Sequence, residues 1–156
     1  MPPVGPPVAA ASERVADQQA GEFEAPLASL RSRTGHAKLW LVRCIIIDDS
    51  EQFLASASRL LGSQGMEVLA CASSGASALQ LAGKLGPDVA LVDVELGEED
   101  GIELSHRFAS HAPGTRVVLI SSYARDDLAA LIAHSPAAGF LSKRDLGAAA
   151  IARVLG

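Results

Sequence analysis

The run Asp88-Val89-Ala90-Leu91-Val92-Asp93 decides how this chain folds: a short apolar stretch delivers a carboxylate at its end. Three further runs repeat the design. Cys44-Ile45-Ile46-Ile47 ends in Asp48-Asp49, Val117-Val118-Leu119-Ile120 ends in Ser121-Ser122, and Gly139-Phe140-Leu141 leads into Ser142-Lys143. Continuous apolar runs, as opposed to strict alternation, mark strands of a parallel sheet covered on both faces. In an open α/β sheet the C-terminal strand ends converge on one edge, where ligands bind.

Between these runs lie helical patterns. Ser50 is placed to cap a first helix whose Phe53, Ala57, Leu60 and Leu61 fall on one face. Strand two is expected over Glu67–Cys71. Ser74 caps helix two, with Ala78, Leu79 and Ala82 turned inward. After Asp93 a loop from Glu95 to Gly101 leads to helix three, with Leu104 and Phe108 four residues apart. Helix four is expected to start at Asp126-Asp127 and stop near His134, ahead of Pro136. Asp145 is the expected cap of helix five. Five βα units with right-handed crossovers predict an α/β, doubly wound, five-stranded parallel sheet with helices on both faces.

Residues 1–40 differ in kind. They open on a proline-rich segment, show no sustained apolar period, and carry four acidic against four basic side chains. They read as a mobile N-terminal extension, with the folded domain spanning 41–156. The whole chain of 156 residues is 49% hydrophobic with a net charge of −5, enough for a core and too acidic for an electrostatic nucleic-acid footprint. Cys44 and Cys71 lie in strand patterns without metal or redox spacing, so buried, reduced thiols are expected, in keeping with a cytoplasmic location. The longest apolar stretch, Leu39 to Ile47, is interrupted by Arg43 and falls short of the ~20 residues a membrane-spanning helix needs.

The polar residues at the strand ends are three carboxylates (Asp48, Asp49 and Asp93), the hydroxyl of Ser121 and the ammonium of Lys143. Adjacent acids repel one another unless a cation lies among them, and magnesium takes one or two carboxylates together with phosphate oxygens. A carboxylate is a competent covalent nucleophile toward phosphorus. The set therefore points to a magnesium-dependent phosphoryl-acceptor site with Asp93 as nucleophile. An aspartyl-phosphate hydrolase of the haloacid dehalogenase type is disfavoured, because the residue two past Asp93 is Glu95 where that motif has Asp.

With these residues in place, the stretch from 42 to 156 resembles the receiver domain of two-component response regulators. The resemblance rests on the Asp48-Asp49 pair, Asp93, Ser121, Phe140, Lys143 and the Asp100-Gly101 turn. It implies the flavodoxin-like strand order 2-1-3-4-5. It implies Mg2+ bound by Asp49 and Asp93, by the backbone carbonyl of Glu95, and by Asp48 through water. It implies a switch in which Ser121 turns inward on phosphorylation and Phe140 follows from exposed to buried. The implied partners are a sensor histidine kinase or phosphotransfer protein and a downstream protein target, with no direct nucleic acid and no membrane. A monomer or a phosphorylation-linked dimer would result, with no enzymatic turnover beyond self-phosphorylation and self-dephosphorylation at Asp93. The expected output face joins helix four, strand five and helix five and carries Arg125, Leu128, Phe140 and Arg144. A stand-alone receiver is the expected form, with a truncated helix-turn-helix regulator or a phosphate sink as alternatives. Two prolines usual in the family are replaced, by Gly97 and Arg144. A cis bond before Arg144 would cost ~2.5–4 kcal/mol, so a trans bond is expected there.

Overall fold

The β-branched and leucine-rich runs form the strands that their composition predicts. A computed structural model describes residues 42–123 and 128–156. The expected extension, Arg125 and the Asp126-Asp127 helix start lie outside the described residues. The strands are β1 (Arg43–Ile47), β2 (Glu67–Ala72), β3 (Val89–Asp93), β4 (Arg116–Ser121) and β5 (Gly139–Ser142). The helices are α1 (Glu51–Ser63), α2 (Gly75–Leu85), α3 (Gly101–His111), α4 (Ala129–Ala133) and α5 (Ala148–Leu155). All five strands pair in parallel, in the order β2-β1-β3-β4-β5. A two-residue antiparallel ladder, Glu95–Leu96 with Glu99–Asp100, folds the loop after β3 back on itself.

Alternate strand residues serve opposite faces. Ile45, Ile47, Ala90, Val92, Val117 and Leu119 pack with Ala78, Leu81, Leu104 and Phe108 of α2 and α3. Cys44, Ile46, Leu91, Val118 and Ile120 pack with Leu54, Ala57 and Leu61 of α1 and Ile151 of α5. Fully burying each of the Val, Leu, Ile and Phe side chains among them contributes about 1.5–3 kcal/mol, and the resulting three layers fix the sheet. Cys44 and Cys71 are free, buried thiols, and burial pushes the Cys44 pKa up.

Three local expectations are corrected. In α1 the buried stripe is Leu54, Ala57 and Leu61, while Phe53 is half-buried and Leu60 is 39% exposed. Ala57 and Leu61 keep the expected face, and Leu54, three positions before Ala57, completes the buried stripe in place of Phe53 and Leu60. In α2 the inward residues include Leu81 and Leu85, with Leu79 at the margin. Asp145 does not cap α5: it closes a 3-10 turn over Lys143–Asp145, and the first helical N–H, that of Ala148, donates to Gln64 Oε1 at 2.7 Å. The Lys143–Arg144 bond is trans. Among the described residues no helix is long and apolar enough to cross a membrane.

Candidate functional site

Strand pairing brings the polar ends together. Asp93 stands opposite Ile120 and Ser121 opposite Ser142, so β3, β4 and β5 finish level. Asp48 follows β1, and its N–H donates to the Ala72 carbonyl at 3.0 Å. The loop after Asp93 is anchored where Val94 N–H donates to Ile120 O and Gly101 N–H to Val94 O, both at 2.9 Å. Gly101 is required there: a Cβ would lie 1.9 Å from the Asp93 carbonyl oxygen. Gly97 turns the loop at φ +62°, a left-handed conformation open to glycine and closed to the family's usual proline.

Asp48, Asp49 and Asp93 each offer one carboxylate oxygen within 4.8 Å of the others. Asp48 is fully buried and Asp93 nearly so, while Asp49 is exposed. An all-oxygen carboxylate set of this kind is the donor chemistry of a hard divalent cation. Lys143 Nζ approaches Asp48 Oδ2 at 2.6 Å and Asp93 Oδ2 at 3.3 Å. The other oxygens are held by backbone: Ser50 N–H donates to Asp48 Oδ1 at 2.8 Å and Glu95 N–H to Asp93 Oδ1 at 3.1 Å. The buried Ser121 hydroxyl accepts from Tyr123 N–H at 2.9 Å.

Burial pushes the Asp93 carboxyl up to about 6, with the Asp48 charge adding to it and the Glu95 N–H and Lys143 pulling back. Burial opposes the charge on Lys143, yet the Asp48 and Asp93 carboxylates outweigh it and hold that ammonium above its ordinary range. A lysine among carboxylates thus stays charged, while the central carboxylate keeps enough basicity to attack an electrophile.

An open cavity of about 270 Å³ lies over the cluster, lined by Asp49, Asp93, Glu95, Ser121, Tyr123 and Lys143 among others. Every side chain expected at the site is therefore brought to one place, except Phe140. That ring is 7% exposed and packs into the α2–α4 side of the core, with Leu128 and Ile132 at its margin. The inward position that the resemblance reserves for the activated form is the one seen here, with the ring folded into the core. Two residues near the acidic cluster lie outside the expected set. Tyr123 follows Ser121 by two positions and is 52% exposed. Phe53 puts its ring centroid 4.4 Å from Lys143 Nζ. The signal for Phe53 was its place in the first helical turn after the acidic pair, where apolar spacing read as core.

Comparison with known proteins agrees with this geometry. The family model for the response regulator receiver domain matches residues 44–152. The Escherichia coli (strain K12) regulatory protein AtoC is 36% identical over 87 residues, 56% of this chain and 19% of AtoC. Response regulator GacA of Pseudomonas aeruginosa is 27% identical over 104 residues, 66% of this chain and 49% of GacA. The chain thus spans half or less of these relatives. Among solved structures, the signal receiver domain of NarL from Mycobacterium tuberculosis superposes with a TM-score of 0.63 at 32% identity, covering 74% of this chain and 97% of that one. A Burkholderia pseudomallei response regulator, solved with a phosphorylated aspartic acid, superposes with a TM-score of 0.64 at 26% identity, covering 73% of this chain and 66% of that one.

Proposed function

The chain belongs to the response regulator receiver domain family, and from that premise we propose that it is a phosphorylation-driven switch with Asp93 as phosphoacceptor. The observation that carries the reading is the nearly buried Asp93 carboxylate set among Asp48, Asp49 and Lys143 beneath an open cavity. An Asp93 oxygen attacks the phosphorus of a phosphohistidine on a sensor histidine kinase or phosphotransfer protein. The P–N bond breaks, the imidazole takes its electron pair, and an acyl phosphate remains.

Little is required of the protein beyond positioning and charge. Lys143 already reaches Asp93, so it is placed to pair with a phosphoryl oxygen there. Ser121 accepts one hydrogen bond from Tyr123 N–H and keeps its own O–H to donate to the phosphoryl group. Asp49 and Asp93, the Glu95 carbonyl and Asp48 through water are the groups to hold Mg2+, which when bound neutralises charge on the transferring phosphoryl group. Attack of water on phosphorus later frees Asp93. No other substrate is turned over.

Output follows from the shift of Ser121 beside Phe140, read by a downstream protein from the α4, β5 and α5 face, in a cytoplasmic monomer or a phosphorylation-linked dimer. A second cavity of about 540 Å³ on this face is lined by Tyr123, Phe140, Arg144 and their neighbours. One observation favours a more specific setting. The relatives include the transcriptional regulatory protein LiaR of Bacillus subtilis (strain 168), 29% identical, of which this chain covers 49%. Control of transcription through a further segment or partner is the second reading.

Borohydride reduction after incubation with acetyl phosphate and magnesium tests the acceptor. Homoserine at position 93, formed only with magnesium, is the expected product. Reduction product at another residue would overturn the assignment.

A further inference from the structure

The site contains one contact that phosphoryl chemistry does not by itself require. The Lys143 ammonium, paired with Asp48 and Asp93 on one side, faces the Phe53 ring on the other, 4.4 Å from its centroid. Four contacts close a circuit around it. Ser50 N–H donates to Asp48 Oδ1, Phe53 N–H donates to Ser50 Oγ at 3.2 Å, the Phe53 ring meets Lys143, and Lys143 returns to Asp48 Oδ2. Phe53 packs against the apolar cluster beneath α1, so the ring has a fixed backing.

We propose that Phe53 is a positioning residue for the reaction: its ring face holds the Lys143 ammonium over the acceptor without neutralising it. The proposal rests on Asp93 being the phosphoacceptor. When a phosphoryl group arrives, Asp48 and Lys143 must exchange partners, because the lysine is needed at the new oxygens. A third carboxylate in place of the ring would compete with those oxygens for the ammonium. The negative face of an aromatic ring attracts the cation, keeps it out of solvent, and leaves its full charge for the phosphoryl group. The lysine side chain is 19% exposed, so the contact is largely shielded from water.

The test measures acetyl phosphate-dependent phosphorylation in magnesium for the full chain, with phenylalanine at position 53 fluorinated progressively. Fluorine drains the negative ring face while nearly preserving ring shape. The rate is expected to fall stepwise, by on the order of fivefold at full fluorination. Phe53→Trp should keep the rate and Phe53→Leu lower it. In a Lys143→Met background, Phe53→Leu should lower the rate no further. A rate independent of fluorination, or an equal loss in both backgrounds, would overturn the proposal in favour of plain core packing. NMR of the Lys143 ε-methylene supplies a second readout. An upfield ring-current shift lost in Phe53→Leu is expected, and its absence in the wild type would refute the contact. If the wild type takes up no phosphoryl group, the acceptor reading fails, and with it the positioning role given to Phe53, whatever the NMR signal shows of the contact.

Discussion

At the scale of single residues, Asp93 is a carboxylate pulled in opposite directions by burial and by its hydrogen-bond partners. Its pKa is raised from 3.8 to about 6 by burial and by Asp48. The folded state therefore keeps a proton that the unfolded chain releases, and this carboxyl's contribution to stability is present below the unfolded value and lost as pH rises through about 6. Asp93→Asn is expected to exceed the wild type by about 1–2 kcal/mol near neutral pH without divalent ions, after allowing for the lost Lys143 contact. The gain should close on acidification toward the unfolded value of 3.8. Urea unfolding across that range checks it, and a pH-independent gain contradicts it. Asp49 is the exposed member of the acidic cluster, so Asp49→Ala should remove magnesium-dependent stabilisation while slightly raising the metal-free melting temperature. An undiminished magnesium shift in that variant would exclude Asp49 as a ligand. These acids, Ser121 and Lys143 were legible in the sequence because each ends an apolar run, and parallel pairing leaves such ends no other place to go. Phe53 was not legible as a site residue. Its apolar character satisfies both a core and a ring-face role, and only the approach of a lysine 90 positions away distinguishes them.

At the scale of elements, the loop from β3 to α3 and the start of α5 carry the sharpest consequences. Gly101 permits α3 to begin against the Asp93 carbonyl, where a Cβ would intrude to 1.9 Å. Backbone must move to relieve that overlap, so Gly101→Ala is expected to cost about 2 kcal/mol or more, and to slow phosphorylation by displacing the acceptor. Thermal melting and phosphorylation rate measured together check this; a stable, fully active variant contradicts it. Gln64→Ala should cost about 1 kcal/mol by removing the acceptor for the Ala148 N–H, whereas Asp145→Ala should have a much smaller effect. The caps at Ser50 and Ser74 were readable because the cap and its helix are adjacent in sequence. The cap of α5 was not, since Gln64 lies 84 residues from the N–H it serves. The Leu60 error has a similar origin: periodicity defines a stripe, and the partner surface selects which edge of it is buried.

At the scale of the whole molecule, the five-stranded sheet was legible from its continuous apolar runs, and the order from the family resemblance that those runs support. The two-residue ladder after Asp93 was not, because Glu95-Leu96 and Glu99-Asp100 carry no strand pattern of their own. The position of Phe140 was also beyond reach, since strand alternation sets the side of the sheet and not the rotamer that carries the ring into the core. Beryllofluoride with magnesium is expected to alter hydrogen exchange most around Ser121, α4 and Phe140. No change there would leave a phosphate sink as the better account. Whether Asp93 accepts the phosphoryl group is measured most directly by intact-protein mass spectrometry after incubation with acetyl phosphate and magnesium, wild type beside Asp93→Asn. A single added phosphoryl group is expected in the wild type, labile at alkaline pH, and none in the variant. Equal incorporation in both would contradict Asp93 as the acceptor.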